Sequence, residues 1–124
     1  MAVNCLLVAL GGGMGAMARY LLGLLPVGVD FPVTTLAINF IGAVVIGAVT
    51  AAAGLLPVPD RTVLFLKTGL CGGFTTFSTF SLETMNLLEK GRTATGVIYA
   101  SGSVVLCLIG VLLGRGLAKL MFGK

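Results

Sequence analysis

Hydrophobic positions run along this chain in four long blocks, at about residues 3–25, 33–56, 62–88 and 93–117. Each block is long enough to cross a bilayer, which takes roughly 20 mainly apolar residues. The blocks are separated by short polar or proline-containing turns. Pro26 and Pro32 bracket a loop holding Asp30, Leu56-Pro57-Val58-Pro59-Asp60-Arg61 forms the second turn, and Glu89-Lys90-Gly91-Arg92 forms the third. The pattern predicts an all-α membrane protein: a single domain of four transmembrane helices, with no linker and no soluble domain. A secretory signal peptide is not expected, because no Lys or Arg precedes the first block and no small-residue cleavage site ends it.

The third block is the unusual one. Gly69, Gly72 and Gly73 are followed by seven residues, Thr75 to Ser81, all Thr, Ser or Phe. Glycine opens a helix at low steric cost, and hydroxyls can bond the backbone groups that a break releases. The helix is therefore expected to break at this motif. Phe74, Phe77 and Phe80 recur every three residues and share a face, with Thr76 and Thr79 as a polar row beside them. On spacing alone this is a kinked helix with an aromatic packing stripe.

Polar residues elsewhere in the blocks are few and spaced helically. Thr35 and Asn39 lie one turn apart in the second block, and Tyr99, Ser103 and Cys107 repeat every four residues in the fourth. Asn39 is read either as interhelical glue or as an amide donor to an anion. Arg19, within the first block, either snorkels or places a fixed positive charge at the mouth of an anion path. GxxxG pairs occur at Gly11/Gly15 and Gly110/Gly114, where small faces let helices approach closely. The GGGMG run lacks the preceding strand and following Lys-Ser/Thr of a phosphate loop. In a lone chain the polar stripes are expected to face lipid at a cost, so an oligomer is expected.

Composition narrows the function. Only 10% of the 124 residues are charged and mean hydropathy is +1.12, against about 25% charged in soluble domains. There is no His, there are four carboxylates, and Cys5, Cys71 and Cys107 sit apart in apolar stretches. No nucleophile–base pair or metal cage can be built from them, so an enzyme is the poorest class. The net charge of +4 is scattered at block ends, which fits membrane flanking and not nucleic acid. With four spans, Arg61, Lys67, Arg115, Lys119 and Lys124 fall on one side and Arg19, Lys90 and Arg92 on the other. Five against three is a weak bias, so insertion in both orientations is open.

GLCGGFTTFSTFSLE (69–83), with GGGMGAMARY upstream and TTLAINFIGA between them, closely resembles the Fluc (CrcB-type) fluoride channels over essentially the whole chain. The core motif shows no departure; Cys107 stands where the family often carries a hydroxyl residue. The resemblance implies an antiparallel, dual-topology dimer in the cell's inner (plasma) membrane, with two fluoride pores. The pairing is with a second copy of the chain or with a paralogue. It implies that Phe77 and Phe80 are pore phenylalanines and Asn39 the pore asparagine. Tyr99 and Ser103, and less securely Cys107, fall on a polar track to which Thr35 and Thr79 contribute. Gly72 and Thr75 would supply backbone carbonyls to a central structural sodium ion. Arg19 matches the vestibule arginine and Glu83 the glutamate of the third helix. Transport would be passive, with fluoride leaving down its gradient. Two rivals are a small multidrug-type proton-coupled exporter and a non-transporting assembly subunit. The first should carry a membrane Glu in the first block and an aromatic cage, whereas this chain has Arg19 there and no Trp.

Overall fold

The computed structural model describes residues 1–123; Lys124, counted in the orientation bias, lies outside them. Among the described residues every regular element is helical. Helix α1 spans Ala2–Gly23, α2 spans Val33–Leu55 and α6 spans Thr93–Phe122. All three are long and apolar enough to cross a membrane. Between them lies a broken stretch: α3 (Asp60–Val63), a π-helical segment (Leu64–Cys71), α4 (Gly72–Phe74) and α5 (Phe77–Glu89). Pro59 precedes α3 and Asp60 opens it, a fixed-φ residue and an acid where a helix N-terminus favours them. The fourth block runs past its expected end near 117, because no breaker intervenes before Gly123.

Packing is organised by small residues in two pairs of elements. In the first, α1 lies on the π-helical segment and α4. A Cβ on Gly11 would come within 3.0 Å of the Gly69 Cα, and one on Gly15 would collide with the Leu70 carbonyl oxygen. A Cβ on Gly73 would collide with the Gly12 carbonyl oxygen. In the second pair α2 lies along α6, with Gly47 against Val111 and Gly114 against the backbone of Val44 and Ala48. Both GxxxG pairs are thus used within the chain, where close backbone contact replaces the missing hydrophobic drive in lipid.

The outer surfaces of these helices are apolar. Leu6, Leu10, Met14, Leu108 and Leu112 are exposed, as suits a chain whose solvent is lipid. The polar stripes behave differently from the expectation that they would face lipid in a lone chain. Thr35, Tyr99 and Ser103 are buried inside this one chain, between α2, α5 and α6.

At one end of the bundle α5 stops in a Schellman motif. Gly91, at φ 77°, places its N–H on the Leu88 carbonyl at 3.1 Å and that of Arg92 on the Leu87 carbonyl at 2.9 Å. It is the one described glycine with positive φ, so this is where the chain spends glycine's conformational freedom.

Candidate functional site

The break in the third block falls at Thr75 and Thr76, not at the glycines. Thr75 (φ −82°, ψ 156°) and Thr76 (φ −148°, ψ 116°) are extended, whereas Gly72 is helical at φ −62°, ψ −38°. Gly72 is therefore not where the helix opens, against the expectation that glycine would open it. The nearest atom to a Cβ there, the Lys67 carbonyl oxygen, is 3.9 Å away. Glycines 69 and 73 serve close approach to α1 instead. The π-helical segment just before the break was not expected, since its i→i+5 bonding has no composition signal; such segments are frequent at functional sites.

Asn39 holds the break open. Thr76 donates its N–H to Asn39 Oδ1 at 2.8 Å, and Asn39 Nδ2 donates to the Thr76 carbonyl at 3.1 Å. The side-chain amide of α2 thus pairs with one extended residue as a β-strand neighbour would. Helix α5 then starts on a side-chain cap, the Thr79 N–H donating to Thr76 Oγ1 at 3.1 Å. The Thr76 hydroxyl donates to Thr79 Oγ1, also at 3.1 Å.

These bonds have a consequence for two carbonyls. In an unbroken helix the Thr76 N–H would close on the carbonyl of Gly72, and the Thr79 N–H on that of Thr75. Both donors are taken elsewhere, by Asn39 and by the Thr76 hydroxyl. The Gly73 carbonyl lies in the same turn and receives Arg19 Nε at 3.3 Å. Arg19 therefore serves the broken helix from α1. Thr75 turns its own hydroxyl back to the Cys71 carbonyl at 2.9 Å, and Gly42 leaves room on α2 for its methyl group.

Beside the break runs an open, mainly apolar groove of about 450 Å³. Its walls bring together Asn39, Gly72, Thr75, Phe77, Phe80, Ser103 and Cys107, with Lys67 also on the lining. Phe77 stands out from the chain at 77% exposure. Ser103 is only 5% exposed, and its Oγ is the one buried side-chain oxygen without a hydrogen-bond partner among the described residues. Phe77 and Phe80 are 5.5 Å apart between ring centroids, tilted by 48°.

Other sequence candidates lie off the groove. Tyr99 is 1% exposed behind Phe80, with centroids 5.2 Å apart, and its hydroxyl donates to Glu83 Oε1 at 3.1 Å. That proton is already engaged. Thr35 and Thr79 are absent from the groove lining, and Glu83 lines a second, smaller pocket at the Schellman end. Sequence reasoning missed Phe31, whose ring stands edge-on to Tyr99 at 5.5 Å and 86°. It also missed Thr76 as the cap. A polar residue before a helical run is a cap signal, but here it was read as part of a face.

Chemically, the arrangement offers donors without metal-ligating side chains. Among the described residues no cluster of three His, Cys, Asp or Glu is present. What converges is a pair of phenylalanine rings, an unpaired hydroxyl, the spare N–H of an amide, and two carbonyls deprived of their helical donors. Fold and site together define a small, multi-pass, all-helical membrane protein with a helix broken beside a groove. Residues 6–115 match the family described as CrcB-like protein, Camphor Resistance (CrcB), and the chain belongs to that family. Among its relatives, the fluoride-specific ion channel FluC of Ruminiclostridium cellulolyticum is 45% identical, across 94% of this chain and 93% of its own. That of Methanocaldococcus jannaschii is 42% identical, across 94% and 95% respectively. That of Methylobacterium radiotolerans is also 42% identical, across 93% and 84%.

Proposed function

We propose that this protein is a fluoride-selective, passive channel that lets fluoride leave the cytoplasm across the inner membrane. The family is one of ion channels and not of enzymes. The observation that carries the reading is the convergence of Phe77, Phe80 and the unpartnered Ser103 hydroxyl on one groove beside the break. Ring edges and O–H groups are donors, which suit a small anion.

The functional unit is read as an antiparallel dimer of this chain, with two pores. Support comes from Phe77, an exposed ring beside an open apolar groove that a second copy would cover. Residues 60–89 then cross the membrane as a fourth, broken span. At about 1.5 Å per helical residue they are long enough for the roughly 30 Å hydrocarbon core. Irregular backbone at membrane depth is tolerated where protein covers it, and Asn39 provides part of that cover.

A structural sodium ion fits the same residues. The carbonyls of Gly72 and Thr75 lack the helical donors that would otherwise satisfy them, and no carboxylate is needed nearby for a site built of carbonyls. Bound there, sodium would offset buried acceptors and set a fixed positive charge between the pores. Lys67 and Arg19 add positive charge along the third span and α1.

Fluoride efflux from liposomes, followed with a fluoride electrode, tests the reading. Efflux should be driven by the fluoride gradient alone and need no proton gradient. Efflux that requires a proton gradient would favour an exporter, and none at all would favour an assembly subunit.

A further inference from the structure

Among the described residues Lys67 is the one charged side chain on the lining of the groove. The chain's four carboxylates all lie elsewhere. Asp30 meets Arg92, Glu83 takes the Tyr99 proton, and Asp60 and Glu89 stand at the two ends of the broken span. Arg19 gives its Nε to the Gly73 carbonyl and is not on the lining. Lys67 is exposed and makes no ion pair among the described residues.

The register puts this lysine at the end of the groove away from the rings. Thr76 pairs with Asn39, and Gly42 faces the Thr75 methyl, so going back along the third span means going forward along α2. Gly47 lies against Val111, which sets α6 in the same direction as α2. Lys67, eight residues before Thr75, therefore falls where Ile46 and Val111 line the groove, whereas Phe77 and Phe80 lie past the break. It is seven residues into the span that Asp60 opens, about 10 Å along a helix.

We propose that Lys67 is the residue that draws fluoride from water into the far end of the groove, ahead of the rings. The inference rests on the fluoride reading above. A lysine inside a span is costly unless it meets a partner, an anion or water. No carboxylate shares the groove with Lys67, and its neighbours on the lining, Ile46 and Val111, are apolar. Walls of low dielectric let one charge act further than it would in bulk water and raise the local concentration of the opposite ion. An ammonium is a compact, hydrated charge on a flexible stem, with three donors and no acceptor. That suits a small anion that must be gathered and then released inward. The role is entry, so Lys67 acts on how often fluoride arrives.

The test reads efflux from vesicles of neutral lipid at low fluoride. Lys67→Gln should lower the rate about tenfold, the lower end of what charge in a cleft does for entry. Lys67→Arg keeps the charge and should retain most of the rate, which also controls for folding. Raising ionic strength with an impermeant salt should slow the wild type by screening, and Lys67→Gln should lose most of that dependence. A second arm puts Lys67→Cys into a chain whose Cys5, Cys71 and Cys107 are replaced, and compares it with that same chain carrying Lys67. A membrane-impermeant thiol reagent should label position 67 from water. A reagent that attaches an aminoethyl group should restore efflux, and one that attaches a sulfonatoethyl group should not. A wild-type chain that passes fluoride while Lys67→Gln matches its rate would overturn the proposal and leave the fluoride reading standing. So would an unlabelled position 67, or equal effects from the two reagents. A wild-type chain that passes no fluoride sinks the fluoride reading and the entry role with it.

Discussion

Asn39 and Thr76, 37 residues apart in sequence, pair through two hydrogen bonds, the Thr76 N–H to Oδ1 at 2.8 Å and Nδ2 to the Thr76 carbonyl at 3.1 Å. The pair stands in for the helical bonds that residue 76 gives up, and it frees the Gly72 carbonyl in doing so. Asn39→Ala leaves both Thr76 groups unpaired in a partly buried place. Each such group costs about 1–3 kcal/mol. The variant should lose thermal stability and transport together. Asn39→Asp keeps the acceptor for Thr76 but loses the donor and sets a negative charge on the groove. It should retain more stability than alanine and yet transport less, a split that a melting curve and an efflux assay read side by side.

The two groove phenylalanines, Phe77 and Phe80, should separate by their surroundings. Phe77 is 77% exposed, so Phe77→Ile removes little packing inside the chain. Phe80 touches both Phe77 and Tyr99, so Phe80→Ile also loses aromatic contacts worth about 0.5–1.5 kcal/mol each. Both should cut fluoride efflux sharply, but Phe80→Ile, which loses two ring contacts where Phe77→Ile loses one, should lower the stability of the single chain more. A doubly substituted protein that still transports at the wild-type rate would reduce the rings to packing.

Gly72 and Gly73 are neighbours with opposite expectations. A Cβ on Gly73 runs into the Gly12 carbonyl of α1, a backbone atom that cannot swing aside. Gly73→Ala should therefore destabilise the chain by a few kcal/mol, on the scale of overpacking, about 1–3 kcal/mol. Gly72 is helical and open within the chain. Gly72→Leu should leave chain folding intact and weaken only assembly and transport. Crosslinking in membranes is the check: a Gly72→Leu protein that still dimerises and transports normally would remove this face from the interface.

The weak charge bias leaves insertion in both orientations open, and a cysteine added at the C-terminus reads it. Cys5 is exposed and needs replacement first, by serine, to leave a clean background. In cells where this protein acts alone, a membrane-impermeant thiol reagent should label about half of the added cysteine from outside. Labelling from one side only would exclude an antiparallel dimer of identical chains.

Three of the expected spans and the role of small residues were legible in the sequence, because both follow from local periodicity. The positions of α1, α2 and α6 come from apolar runs long enough to span, and Gly11/Gly15 and Gly110/Gly114 announce close contacts. The break lies within the expected motif, but at Thr75 and Thr76 and not at its glycines, since glycine permits an opening but does not compel one. What fixed it was Asn39, a partner with no sequence signature at a separation of 37 residues. Tyr99 was read as a donor by residue type. Whether a hydroxyl is free depends on what lies across from it, and here Glu83 does. Phe31 escaped notice because loop residues have no period; its neighbour Asp30 meets Arg92 only once the Schellman turn is built.

Thr75 tests whether the break is held for the sake of its carbonyls. Its side chain has two local jobs: the hydroxyl bonds the Cys71 carbonyl at 2.9 Å, and the methyl occupies the space that Gly42 leaves on α2. Neither involves its carbonyl, the group assigned to sodium. Thr75→Ser keeps the hydroxyl and loses one methyl, and should be mild, about 1 kcal/mol. Gly42→Ala should be severe, because its Cβ would collide with the Thr75 methyl and push the extended segment away from Asn39. Combining the two removes the collision, so the double variant should recover most of the transport that Gly42→Ala loses. That recovery is a coupling no independent pair would give. Preparing the wild type with a large organic cation in place of sodium should weaken the dimer or slow efflux, and restoring sodium should reverse the effect. The Thr75→Ser protein should show the same sodium dependence, since its carbonyl is untouched. Dimers and rates indifferent to sodium in both proteins would leave the two carbonyls without that partner.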